Sequence, residues 1–255
     1  MSGFPLVLHQ FRFDQKVFWR NPASVFFTAI FPLLFLFIFA TFFKNANIQG
    51  LGVHGATYYV PAIVALSVIS ATTVKLAMNL SSEREAGQLK RVRGTPLPPA
   101  AFVAGRVGNS LVISVIMVAL ISVIGALFYG VTIPTDTLPA LIVTLAVGVF
   151  SFSCLGFALA AVIPSEDAAP AVTNAIVFPL YFLSGVFVPE DEIPNGILHI
   201  ASIFPVRPFF QALFTAWDPN TVGSGFELGD LAVVFAWGLF GLVVAVRFFR
   251  WEPRR

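Results

Sequence analysis

The chain reads as an all-α polytopic membrane protein, and three observations lead there. Of its 255 residues, 57% are hydrophobic and 11% charged, too few charges to coat a soluble surface. Six predominantly apolar stretches reach the roughly 20 residues that a helix needs to cross a hydrocarbon core of about 30 Å, where lipid offers the backbone no hydrogen bonds. The Lys and Arg residues, finally, collect on one side of those stretches.

The predicted spans are 23–43, 58–80, 107–129, 138–163, 169–188 and 228–249. Pro32 and Pro179 fall inside the first and fifth, where each removes a helical hydrogen bond and predicts a kink. Ahead of them, Val7, Phe11 and Phe18, with Leu8 and Val17 beside them, recur at helical spacing. Arg12, Gln15, Lys16 and Arg20 lie between. Residues 1–22 therefore read as an amphipathic helix on the membrane surface, with a plain juxtamembrane tail as the alternative. The first apolar run is too long for a signal-peptide core, and no small-residue cleavage site follows it before Lys44. The chain divides into this interface helix and one transmembrane domain, 23–255.

Twelve basic residues fall on one side: Arg12, Lys16 and Arg20; Arg84, Lys90, Arg91, Arg93 and Arg106; and Arg247, Arg250, Arg254 and Arg255. Only Lys44 and Arg207 fall on the other. This asymmetry predicts cytoplasmic termini and a cytoplasmic loop between spans two and three, with Asp191 and Gly223 outside. Lys75, near the inner end of the second span, is expected to snorkel to the interface. Residues 196–217 are almost apolar enough to span. Pro205, Arg207 and Pro208 would break a helix there and place a charge in lipid, so two short helices that dip in from outside and return are expected.

Several chemistries find no support. No Gly-x-x-x-x-Gly-Lys-Ser/Thr occurs, so ATP energy would have to come from a partner. His9, His54 and His199 lie outside the spans and show no metal-ligand spacing. Ser151, Ser153 and Ser184 have no histidine on a neighbouring span to activate them. Cys154 is alone and reads as a packing residue. The span interiors hold no midplane carboxylate of the kind that couples protons to transport.

The charged loop carries the most information. Ser82 to Glu85 has capping-box spacing, which predicts a short helix from about Glu83 to Arg93, stopped by Gly94-Thr95-Pro96-Leu97. Pro98 and Pro99 suit the start of the next helix. The plainer reading is a solvated helix with ordinary inside-positive charge.

The stretch Glu83-Arg84-Glu85-Ala86-Gly87-Gln88-Leu89-Lys90-Arg91-Val92-Arg93-Gly94-Thr95-Pro96-Leu97 resembles the E-R-E-x-G…R-x-T-P-L segment of ABC-2 type permeases, the membrane subunits of ABC exporters. Trp19-Arg20-Asn21-Pro22 before the first span, Phe182-Leu183-Ser184-Gly185-Val186-Phe187-Val188-Pro189 closing the fifth, and Ile193-Pro194 with Phe204-Pro205 beyond it extend the resemblance over nearly the whole chain. It is strongest to the daunorubicin-resistance-like drug exporter branch.

The resemblance implies a coupling helix seated on an ATP-hydrolysing subunit. Glu83, Arg84, Glu85, Gly87, Lys90, Arg91, Arg93, Thr95, Pro96 and Leu97 would form the contact, with Leu89 and Val92 facing the bilayer or the partner's pocket. The loop at Ser165 to Asp167 would be a smaller contact. It further implies two ATPase copies that hold the ATP and Mg, no cofactor in this chain, and a second permease chain, identical or homologous. Lipids are expected partners and nucleic acid is not. The setting would be the bacterial plasma membrane, and the cargo an amphipathic drug or lipid-like molecule moving outward.

Polar residues on the spans that the family places at its cavity are candidates for the pathway: Ser67, Ser70, Thr72 and Thr73 on the second, and Thr173, Asn174, Tyr181 and Ser184 on the fifth, with Phe178 and Phe182 beside them. For each polar group the competing role is an interhelical hydrogen bond. Export of a lipid-linked polysaccharide, a secondary transporter or channel without an ATPase, and a membrane-embedded enzyme are the rival functions.

Overall fold

The computed structural model describes residues 3–43, 47–48 and 53–252. Lys44, Arg254 and Arg255 of the charge asymmetry lie outside the described residues, as does the side chain of Asp191.

The interface helix forms over Gly3–Trp19 and lies against the third span. The side turned toward the protein carries Phe18 and, half-buried, Val7 and Phe11 of the apolar set, together with two polar residues. Gln10, Asp14 and Phe18, at i, i+4 and i+8, are buried, while Phe13, Val17 and Trp19 stay exposed. Gly105 permits the approach, since a Cβ there would come within 2.6 Å of the Gln10 Cγ.

Among the described residues, five helices are long and apolar enough to cross a membrane: Pro22–Phe42, Gly55–Glu85, Pro99–Tyr129, Leu138–Val162 and Leu228–Phe248. They correspond to spans one to four and six. The fifth span is shorter than expected: it is helical over Ala168–Leu183, 16 residues, and ends at Ser184 rather than near Val188. Gly185 follows at φ +83°, crowded by Glu190, Phe210 and the Tyr58 hydroxyl, so a side chain fits there neither sterically nor conformationally. A two-residue antiparallel pair, Asn47–Ile48 with Val53–His54, lies between the first two spans.

Two spans contain π-helical turns. In the first, Phe26–Ile30 widens ahead of Pro32, whose missing N–H and bulky ring disturb the turn containing Thr28, its i−4 residue. In the second, Ser70–Val74 is π-helical just after Ser67 and at Thr72, whose hydroxyls donate back to the Ile63 and Val68 carbonyls at 2.8 and 2.6 Å. The second span is the most buried element and forms the centre of the core. Spans four and six run parallel and in close contact, because Gly238 and Gly241 let the sixth helix settle onto Ser151 and Cys154 of the fourth.

Residues 195–217 form two helices, Asn195–Ala201 and Val206–Trp217, bent by 98°. Both ends of this pair lie on one side. Glu190 before it, Asp218 after it and Asp230 at the start of the sixth span line a single depression. Its tip lies deep: the Trp237 indole donates to the Ile203 carbonyl at 2.7 Å, nine residues into the sixth span or about 14 Å down its axis. This is the expected re-entrant geometry. Phe209 and Phe210 are fully buried, Phe209 against Phe152 and the bare backbone of Gly148, and Phe210 against Tyr58. Glu190, half-buried beside that depression, receives Arg207 and Gln211 from the second helix of the pair.

Candidate functional site

The charged loop is built differently from its capping-box reading. Ser82 does not start a helix: the second span continues through it to Glu85, and its hydroxyl donates to Glu166 at 2.7 Å. The helix breaks at Gly87, φ +70°, and a separate short helix covers Gln88–Arg93. A local capping signal loses here because the apolar stripe Leu76, Leu80 and Arg84's aliphatic stem keeps the longer helix packed on the protein.

That extension turns two residues expected at the partner surface inward, Arg84 fully and Glu83 in part. Arg84 is 1% exposed and donates to the Ala160 and Ile163 carbonyls, both at 2.8 Å, closing the end of the fourth span where carbonyls lack helical partners. Glu83 accepts both carboxylate contacts, 2.6 and 2.7 Å, from Arg106, which also lies 3.4 Å from Asp14 on the interface helix. Burial raises the Asp14 carboxyl above its ordinary 3.8, with Arg106 and Gln10 pulling the other way. Glu85 lies 3.5 Å from Arg84.

The short helix turns a basic face outward. Leu89 is fully buried in a cluster with Leu76, Leu80 and Phe102, rather than facing lipid or a partner, and Val92 packs beside it. Lys90, Arg91 and Arg93 are exposed, as are Thr95 and Pro96; Leu97 is half-buried. The Thr95 hydroxyl donates to the Val92 carbonyl and ends the helix.

The candidate pathway residues separate into two groups. Ser70, Asn174, Phe178 and Tyr181 come together in an open cleft of about 450 Å³ between the first, second and fifth spans. Thr73 has the competing interhelical role, donating to the Phe152 carbonyl of the fourth span, while Ser67, Thr72 and Ser184 donate to carbonyls three or four residues back along their own chain segments. Thr173 is buried outside the cleft lining, and Phe182 is exposed on the fifth span.

Sequence reasoning missed the opposite wall. Ser24, Phe27, Thr28 and Phe31 recur at i, i+3, i+4 and i+7 on the first span and face Ser70 and Val74, so the two π-helical turns flank the same cleft. A Ser and Thr among phenylalanines was the available signal. Lys75 also lines the cleft and reaches toward the interface helix. Its amine lies 3.7 Å from the centre of the Phe18 ring and has no hydrogen-bond partner among the described residues. The Tyr181 hydroxyl stands 3.4 Å from the Ser70 hydroxyl across the cleft's inner wall.

The arrangement has a half-open amphipathic cleft between helices and, on the side where the second span ends, a basic helix mounted on a buried anchor. The sequence is similar to those of transport permeases. The putative transport permease YvfS of Bacillus subtilis (strain 168) is 23% identical over 211 residues, covering 83% of this chain and 84% of the relative. The daunorubicin resistance ABC transporter permease protein DrrB1 of Streptomyces coeruleorubidus is 26% identical over 217 residues, covering 82% of this chain and 76% of that protein. The family pattern described as ABC-2 type transporter matches residues 8–216, from the interface helix to the end of the re-entrant pair, and the chain belongs to that family of membrane subunits, which are not themselves the ATPase.

Proposed function

We propose that this permease exports an amphipathic drug-like or lipid-like molecule, driven by two copies of a separate ATP-binding subunit and paired with a second permease chain. The observation that carries the reading is the cleft between the first, second and fifth spans, with phenylalanines on one wall and Ser70, Asn174 and Tyr181 on the other. An amphipathic solute matches such a surface, since apolar burial supplies affinity and a few polar groups set orientation. The resistance function in the name of DrrB1 supports the same cargo class.

Coupling is assigned to the helix Gln88–Arg93, narrower than the 83–93 segment expected from sequence. Lys90, Arg91 and Arg93 would meet an acidic cleft on the ATPase, with Glu85, Thr95, Pro96 and Leu97 at the edge. Gly87 would let the helix swing relative to the second span. Glu83 and Arg84 act on the contact indirectly, by fixing the span from which that helix hangs. The basic asymmetry supports a reading in which these groups and both termini face the cytoplasm, with the re-entrant pair outside.

The test is ATP-dependent uptake of a fluorescent amphipathic aromatic dye into inverted vesicles holding the permease and its P-loop ATPase subunit. Asn174→Trp, which fills the cleft, should lower uptake at least tenfold while the ATPase still co-purifies. Unchanged uptake would move the pathway elsewhere.

A further inference from the structure

A second cleft, of about 420 Å³, lies on another side of the bundle, between spans two, four, five and six and beneath the tip of the re-entrant pair. Its wall is apolar throughout. On the fourth span Phe152, Leu155, Leu159 and Val162 recur at i, i+3, i+7 and i+10, and on the sixth Trp237, Phe240 and Val244 repeat the same register. Polar side-chain groups that could interrupt the wall are turned away from it. The Thr73 hydroxyl donates to the Phe152 carbonyl at 2.7 Å, and the Trp237 indole donates to the Ile203 carbonyl.

The groove has a defined length and two unlike ends. From Phe152 to Val162 is ten residues, about 15 Å of helix, which is half of a roughly 30 Å hydrocarbon core. Phe204, Pro205 and Val206 of the re-entrant tip close it at mid-depth. The other end opens at the last turn of the sixth span. Arg247, exposed there, continues the stripe three residues after Val244. An apolar slot one leaflet deep, closed at one end and with a guanidinium at its mouth, matches one acyl chain below a phosphate.

We propose that this groove is a binding site for one phospholipid of the leaflet adjoining the chain's termini, its acyl chain lying between spans four and six and its phosphodiester held by Arg247. The lipid would fill the space under the re-entrant tip and so support Phe204 and Pro205 from below. The inference stands apart from the transport reading, because its test contains neither an ATPase nor a transport step.

The experiment titrates the full chain in dodecylmaltoside with phosphatidylglycerol brominated at mid-chain, following tryptophan fluorescence. Wild type should show a quenching phase that saturates near one lipid per chain, is reversed by unlabelled phosphatidylglycerol and is lost in Trp237→Phe. A mid-chain-brominated fatty acid methyl ester, lacking the phosphate, should bind roughly tenfold more weakly, and Arg247→Ala should erase that difference. Leu159→Phe, which narrows the groove, should abolish the saturable phase.

Quenching that rises in proportion to lipid without saturating would overturn the site. Equal binding of ester and phospholipid to wild type would overturn the assignment of the headgroup to Arg247. Disulfide-linked dimers from Leu159→Cys in a Cys154→Ala background would show that a second copy of the chain covers this face, and would overturn the lipid assignment. The wild-type titration decides the matter even where a groove variant fails to fold.

Discussion

Arg84→Ala separates the two readings of the charged loop, because Arg84 is the residue on which sequence and structure differ most. As a surface member of a partner contact, it could be removed at a cost within about 0.5 kcal/mol of stability. In the structure its guanidinium is 1% exposed and donates to two carbonyls at the end of the fourth span. Each charge-assisted hydrogen bond is worth about 1.5–3 kcal/mol, and the truncation also leaves buried carbonyls short of donors. The expected loss is therefore about 3–5 kcal/mol. For a chain of this size that corresponds to a fall of roughly 10 °C in the unfolding midpoint.

The assay is thermal unfolding in detergent followed by fluorescence-detected gel filtration, alongside co-purification with the ATPase. Arg84→Lys should fall between wild type and Arg84→Ala, since one ammonium does not reproduce the two-pronged contact with Ala160 and Ile163. Arg91→Ala serves as the exposed control and should leave the midpoint unchanged. A normal midpoint in Arg84→Ala together with loss of the ATPase would refute the internal role and restore Arg84 to the partner surface.

Other expected outcomes follow from the same geometry. Charge reversal of Lys90, Arg91 and Arg93 together should leave the permease in the membrane but weaken ATPase co-purification at least tenfold; retention of the partner would remove the short helix from the contact. Cysteines at Glu192 and Asp218, in a Cys154→Ala background, should both react with an impermeant thiol reagent from outside while one at Arg91 is spared, and labelling of only one of the pair would mean that the segment between them crosses. Phe209→Ala should cost about 3–5 kcal/mol, read as a lowered unfolding midpoint, because it empties a pocket against Phe152 and Gly148. The Asp14 carboxyl has a folded pKa above its ordinary 3.8, so between those two values the folded state binds more protons and stability falls as pH rises; Asp14→Asn should flatten that slope in midpoints measured across the acidic range.

The sequence by itself determined the membrane class, the places of the spans, the re-entrant pair and the family. These follow from one-dimensional signals. An apolar run of 20 residues has little choice but to be a helix in lipid, and Pro205-Val206-Arg207-Pro208 has little choice but to interrupt one. The turn at Gly185, φ +83°, went unread: the expected fifth span ran through it to Val188, although a positive φ after a helix selects glycine.

Tertiary structure alone decided the use of each polar group. Ser67, Thr73 and Ser184 sit on the expected spans, yet their hydroxyls are spent on carbonyls, while Ser70 and Asn174 reach a cleft; the pattern of residue types along the helices is the same for both groups. The capping box at Ser82 failed because burial of Leu80 and Arg84 outweighed a local signal worth about 1 kcal/mol. Glu83 looked like a free surface charge until the fold brought Arg106 to it from 23 residues away. Hydropathy and spacing report what a segment avoids, namely water or lipid. Which neighbour it meets is set by how the helices pack, and that appears only when all of them are in place.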